Sequence, residues 1–334
     1  MTLEFWPAAS SPGEPVRRTG RGPTGPVPGP DGGGPARGHR LPAVVVAVLS
    51  AVGVWATWYL FVASPTGRLL DGAAYDGARY GRTRLWQVAE PVLEVISVPF
   101  IGGVLVATML LALLRGRALL ALQIAALMGG ANLSTQLLKH VVLQRPDLGL
   151  GDSLSNALPS GHTTAAASVS AALVLVVPAR VRPAAALLGA GYTTATGIST
   201  LVGGWHRPSD VVAAVLVVLG WAALATAMGA GRAVGPAATA GRVRRQGTTA
   251  TVTILLLAGL LAGALAGLGL SRSAAGLADG LDSTAELLTA YGGGAAGVGA
   301  IACLAFAALL ALCATADPRR REEHPVVRAG HGRS

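Results

Sequence analysis

The sequence predicts an all-α fold, a polytopic membrane helix bundle. Three observations carry that reading. Apolar residues make up 52% of the 334 and charged residues only 13%, about half the charge of an ordinary soluble domain. Apolar runs of about 20 residues, the length that crosses a bilayer, recur from Leu41 to Thr315. The arginines collect in the tails and short loops, as topology signals do. The net charge of +10 therefore does not point to nucleic acid, and with aromatics at 4% there is no basic, aromatic-interleaved surface.

Taken in order, residues 1–40 are rich in Pro, Gly and Arg and show no apolar period, so they read as a disordered basic tail. Eight spans follow, near 41–63, 92–114, 118–138, 161–178, 184–204, 209–230, 249–270 and 292–315. Arg115 and Arg117 follow the second span, Arg180 and Arg182 the fourth, Arg232, Arg242, Arg244 and Arg245 the sixth, and Arg319 to Arg321 the eighth. With the basic N-terminal tail, these place both termini in the cytoplasm. The loop 64–91 falls on the other side and reads as an amphipathic surface helix. Gly259, Gly263 and Gly267 in span seven, with Gly293 and Gly297 in span eight, form rows of small residues that let two helices approach closely. Cys303 and Cys313 lie in the last apolar run and read as packing residues. High Ala, Gly and Arg with almost no Lys is the composition of a GC-rich bacterial genome, and the expected location is a bacterial plasma membrane.

Three polar clusters interrupt the apolar background, and the span count puts all three on the extracytoplasmic face. Lys139, the only lysine of the chain, and Arg145-Pro146 close span three. A lysine at a helix end can snorkel to the interface. Arginine snorkels equally well, however, and a compact ammonium suits a phosphate oxygen. Pro159-Ser160-Gly161-His162 opens span four. It reads either as an ordinary cap beside an interfacial histidine or as an anion site at a helix N-terminus. His206-Arg207-Pro208-Ser209-Asp210 joins spans five and six. Asp210 either stabilises the helix dipole or reaches back four residues to orient the His206 ring. Together, two histidines, a lysine, an arginine, a carboxylate and a helix N-terminus suit phosphoryl chemistry. One histidine attacks phosphorus, the cations hold its oxygens, and the other histidine protonates the leaving oxygen. No carboxylate cluster suited to Mg²⁺ appears, so no metal and no cofactor is expected.

These residues resemble the motifs of the type 2 phosphatidic acid phosphatases, which share their site with vanadium haloperoxidases. That family carries Lys-x6-Arg-Pro, Pro-Ser-Gly-His and Ser-Arg-x5-His-x3-Asp. Here they stand as KHVVLQRP from Lys139, PSGH from Pro159, and STLVGGWHRPSD from Ser199. The resemblance implies a six-helix catalytic core at 41–232, leaving 233–316 as an added two-helix hairpin and 317–334 as a cytoplasmic tail. It implies His206 as a nucleophile forming a phosphohistidine, Asp210 as its orienting group and His162 as general acid. Lys139, Arg145, Ser160 and the Gly161 backbone would bind phosphate oxygens.

Two departures stand out. Five residues separate Lys139 from Arg145 instead of six, so one of the two is re-aimed or the segment between them is not helical. Thr200 occupies the place of a phosphate-binding arginine and can offer one hydrogen bond without charge; Arg207 is the expected substitute for that charge. The implied substrate is a lipid phosphate or diphosphate of the isoprenyl, phosphatidate or phosphatidylglycerol phosphate type, met among membrane lipids. The alternatives are a lipid-phosphate-binding or transport protein that kept the fold, and a phosphotransferase. Nothing in the sequence bears on oligomeric state.

Overall fold

A computed structural model describes residues 40–94, 98–114, 116–150, 155–229, 241–278 and 280–315. The tails at 1–39 and 316–334, and most of the loop that separates the expected core from its hairpin, lie outside the described residues. Among the described residues ten α-helices run α1 Arg40–Phe61, α2 Pro65–Gly77, α3 Arg82–Glu94, α4 Val98–Leu114, α5 Ala118–Leu137, α6 Gly161–Val176, α7 Arg182–Val202, α8 Pro208–Ala227, α9 Gly241–Ala275 and α10 Thr284–Thr315. No strand occurs among the described residues, so the fold is all-α, as the composition requires.

Among the described residues, five helical segments are long and apolar enough to cross a membrane: α1, α5 with its extension to Val142, α8, Gln246–Ala278 and α10. The chain is a multi-pass membrane protein. The other three expected spans are the helices α4, α6 and α7, which are shorter or more polar; α7 carries Thr193, Thr194, Thr196, Ser199 and Thr200. The outer helices keep large apolar side chains exposed, Val48 and Leu49 on α1 and Leu260 and Leu261 on α9 among them, because lipid rather than water surrounds them. α6 and α8 are the buried centre, and alanine at 165–167, 171 and 172 lets neighbouring backbones come close to α6.

The expected surface helix at 64–91 is instead two helices, α2 and α3, and α2 is half enclosed. Ser64 caps α2, its hydroxyl oxygen accepting from the Gly67 N–H at 3.1 Å, with Pro65 in the first turn. α2 then packs against α1, α8, α9 and α10. Its inner face carries charge, with Arg68 and Asp71 both buried beside Leu70, Ala73 and Ala74. An amphipathic helix normally turns such residues to water. Here they turn inward, because backbone groups of other segments need partners there.

α9 and α10 pair along much of their length, as their small-residue rows predict. The tightest approach joins Gly293 of its row to Gly269, outside the row of span seven: a Cβ on Gly269 would sit 2.7 Å from the Gly293 Cα. α10 is capped reciprocally by Ser283 and Glu286, each side chain bonding the other's backbone N–H. α10 also packs against α2, α7 and α8, and Gly294 lies so close under Pro208 that a Cβ would meet the ring at 2.5 Å.

Candidate active site

All three polar clusters meet at one end of the bundle. α5 ends in a wide π-helical turn over Leu138–Val142, and from Leu143 the backbone is extended. Lys139 therefore leaves the α-helical register, and Arg145 lies beyond any helix. The missing residue between them does not impose the 100° misorientation that a continuous α-helix would. The segment is held from both sides. Trp58 donates its indole N–H to the Gln144 carbonyl at 2.8 Å, and Arg68 donates to the Pro146 carbonyl at 2.7 Å. The Asn156 amide donates to the carbonyls of Lys139, Leu143 and Leu158, tying the first cluster to the approach of the second.

Ser160 is fully buried and caps α6, its hydroxyl oxygen accepting from the Thr163 N–H and hydroxyl. Its own N–H donates to the Asp210 carbonyl at 2.9 Å, which joins the second cluster to the third. A side chain added at Gly161 would meet nothing within 4 Å. The space beside the first turn of α6 is thus open at the position where unpaired helix N–H groups and the dipole favour an anion. His162 lies within electrostatic reach of both His206 and Lys139, and its ring packs against Trp205 with centroids 5.2 Å apart.

The third cluster is built by a turn. The Thr200 carbonyl accepts from the N–H groups of Trp205 and His206, curling the chain off the end of α7. Gly204 makes this possible: its φ is +69°, and a Cβ there would strike the Arg82 guanidinium. His206 is buried, and its Nδ1 lies 3.1 Å from Asp210 Oδ2. That oxygen also accepts from the Arg207 N–H at 2.9 Å. With Nδ1–H donating to the carboxylate, Nε2 carries the lone pair, the arrangement of an oriented nucleophile or base.

Thr200 itself does not supply what an arginine would. It is fully buried, and its hydroxyl donates to the Gly197 carbonyl of its own helix at 2.7 Å, so the expected hydrogen bond to phosphate is already spent. Arg207 keeps donor capacity. Its guanidinium lies over the Tyr75 ring at 5.2 Å, and its Nε has no hydrogen-bond partner.

Sequence reasoning missed the contribution of α2. Beyond the Arg68 bond to Pro146, Tyr75 donates its hydroxyl to the Gly204 carbonyl at 2.8 Å, and Asp71 accepts from the Ser209 N–H at 3.1 Å and the Ser209 hydroxyl at 2.6 Å. Burial first, and the neighbouring Asp210 charge second, push the Asp71 carboxyl up from 3.8 to about 7; the Ser209 bonds and Arg207 act the other way. Asp71 and Ser209 also border an apolar cavity of about 180 Å³ between α2, α8, α9 and α10. The available signal was the spacing: residues 68, 71 and 75 fall on one face of a helix. Among the described residues, no three His, Cys, Asp or Glu side chains gather as a metal site.

The family model of the PAP2 superfamily matches residues 120–233, about a third of the chain, from α5 through α8. Over those residues the chain is similar to the PAP2 superfamily. The match spans all three clusters and supports a phosphatase-type function. No curated protein and no solved structure gives a significant match.

Proposed function

We propose that this protein hydrolyses a lipid phosphate or diphosphate at the extracytoplasmic face through a phosphohistidine. The observation that carries the proposal is the His206–Asp210 pair, joined through the Asp210 carbonyl to the Ser160 N–H at the start of α6. This links an oriented imidazole to a helix N-terminus with open space beside it. His206 Nε2 attacks phosphorus, forming an N–P bond while the bond to the lipid oxygen breaks. Protonated His162 gives that oxygen its proton. Water then attacks the phosphohistidine, neutral His162 takes the water's proton, and inorganic phosphate leaves. Lys139, Arg145, Arg207 and the α6 N-terminus are the groups that hold the phosphoryl oxygens. This mechanism calls on no metal. A site at the end of a membrane bundle suits an amphiphile whose tail stays in lipid. Isoprenyl diphosphate, isoprenyl phosphate, phosphatidate and phosphatidylglycerol phosphate are the substrate candidates.

Phosphate release by purified protein from those four lipids, in EDTA, tests the activity. Release from one of them that disappears in His206→Ala is expected. Binding of all four without release would instead support a lipid-phosphate-binding or transport protein, a reading favoured by the commitment of Thr200 to its own helix. Product that depends on an added acceptor other than water would mark a phosphotransferase. The face is supported by the exposed Arg180 just beyond the opposite end of α6. Asp147→Cys, exposed on the site side, should react with a membrane-impermeant maleimide in intact cells; labelling only after lysis would reverse the orientation.

A further inference from the structure

We infer that Asp71 is a positioning residue for the His206–Asp210 pair, acting through Ser209. The inference rests on the phosphatase reading for its catalytic meaning, but its geometry stands independently. Asp71 and Ser209 are 138 positions apart in sequence and are joined by two bonds, one from the Ser209 N–H and one from its hydroxyl. Both residues are buried. Ser209 occupies the first turn of α8, next to Asp210. Asp210 in turn makes three bonds that define the site: its carboxylate accepts from His206 Nδ1–H and the Arg207 N–H, and its carbonyl accepts from the Ser160 N–H. The first turn of a helix has N–H groups with no partner in the helix itself. Asp71 satisfies that of Ser209 from outside, and so fixes the rotation of the turn carrying Asp210.

The clamp is also braced. Tyr75, one turn along α2, holds the Gly204 carbonyl on the other side of His206. Gly294 of α10 packs against both Pro208 and Ala74, closing α2 and α8 together from behind. The segment from Gly204 to Asp210 is thereby gripped at both ends by one helix face. No bond from Asp71 reaches the reacting atoms, so its effect is on placement.

Four variants test this: Asp71→Ala, Asp71→Asn, Ser209→Ala, and Asp71→Ala with Ser209→Ala. Misplacement of a reacting group by an ångström lowers turnover by up to about 100-fold. Asp71→Ala is therefore expected to lower kcat by about 10- to 100-fold with KM changed less than about threefold. Asn offers an oxygen to the Ser209 N–H and an amide to its hydroxyl, so Asp71→Asn should return kcat to within about fivefold of wild type. The double variant should be no slower than the slower single one, because both remove the same clamp. A wild-type kcat in Asp71→Ala, a loss that Asn does not repair, or additive losses would each overturn the inference.

Hydrogen exchange of the 205–212 amides in detergent gives a readout independent of catalysis. Asp71→Ala should exchange there at least about tenfold faster than wild type, with Asp71→Asn near wild type. If wild type released no phosphate from any lipid, the phosphatase reading would fall while this exchange still decided the clamp. Unchanged exchange in Asp71→Ala would remove the clamp even in an active enzyme.

Discussion

The starts of α6 and α8 and the inner face of α2 surround the same few residues, and they are built differently. The first region is distinguished by its side-chain types: His162, His206, Asp210, Ser160 and Gly161 stand at helix starts in recognisable spacing. The second works almost wholly on backbone groups. Arg68 reaches the Pro146 carbonyl, Tyr75 the Gly204 carbonyl and Asp71 the Ser209 N–H. On the proposed mechanism, the contrast separates a region that performs chemistry from one that holds it in register. It also predicts different penalties: substitutions in the first should abolish a step, and those in the second should slow it.

The largest effects therefore belong to the motif side. His206→Ala should lower turnover by about 10⁴-fold or more, as loss of a nucleophile does. Asp210→Asn should cost about 10³-fold, because an amide can leave His206 in the wrong tautomer. Phosphate release by protein with intact helical circular dichroism checks both. If Asp210→Asn fell no further than the α2 variants, the distinction between the two regions would be lost. Arg207 stands on the border, because it follows His206 directly in the chain while its guanidinium lies over Tyr75 of α2. Arg207→Ala should slow turnover by about 10- to 100-fold through loss of a charge-assisted contact. Arg207→Lys should recover only part of that, since an ammonium restores charge but neither the planar fork nor its stacking. Activity within a few-fold of wild type in Arg207→Ala would show that nothing at this position replaces the arginine absent at Thr200.

On the α2 side the effects shrink. Tyr75→Phe keeps the ring under Arg207 and removes only the bond to Gly204, a net loss of about 1 kcal/mol. Turnover should fall about two- to fivefold, with little change in KM. A loss as large as that of Arg207→Ala would move Tyr75 from the holding region into the chemistry.

The same contrast explains what could be read in the sequence. Apolar runs and arginine placement made the helical membrane bundle legible, since hydropathy is a property of residue type. The three clusters were legible for the same reason: Lys139, His162 and His206 are rare residue types placed at ends of apolar runs. The π turn at Leu138–Val142 was not, because the bonds that hold this segment, from Asn156, Trp58 and Arg68, go to backbone carbonyls, and a carbonyl is carried by every residue. α2 was read as a surface helix because its arginine and aspartate look like a water-facing stripe. Only the three-dimensional arrangement shows that backbone groups and the Ser209 hydroxyl bond to them. Thr200 misled differently: its position aligned with a phosphate ligand, yet its hydroxyl closes on Gly197 within its own helix.

The smallest effect is one of stability, and its sign follows from Asp71. Folding raises its carboxyl from 3.8 to about 7, mainly through burial. A group that holds its proton more tightly when folded stabilises the fold while the proton is present. That contribution is complete below pH 3.8 and is lost as the pH rises to about 7. Above it, a buried carboxylate stands charged beside Asp210, relieved only in part by Arg207 and the Ser209 bonds; the α10 residues that border it, Ala290, Gly293, Gly294 and Gly297, offer no charge. Asp71→Asn has no proton to lose. Between pH 5 and pH 8 the apparent unfolding midpoint of wild type should therefore drop relative to Asp71→Asn, by about 5 °C for a chain of this size. Parallel midpoints would mean that Ser209 and Arg207 keep the carboxylate ionised at little cost. Asp71 would then resemble the paired carboxylate of the motif side more than a strut that holds its proton.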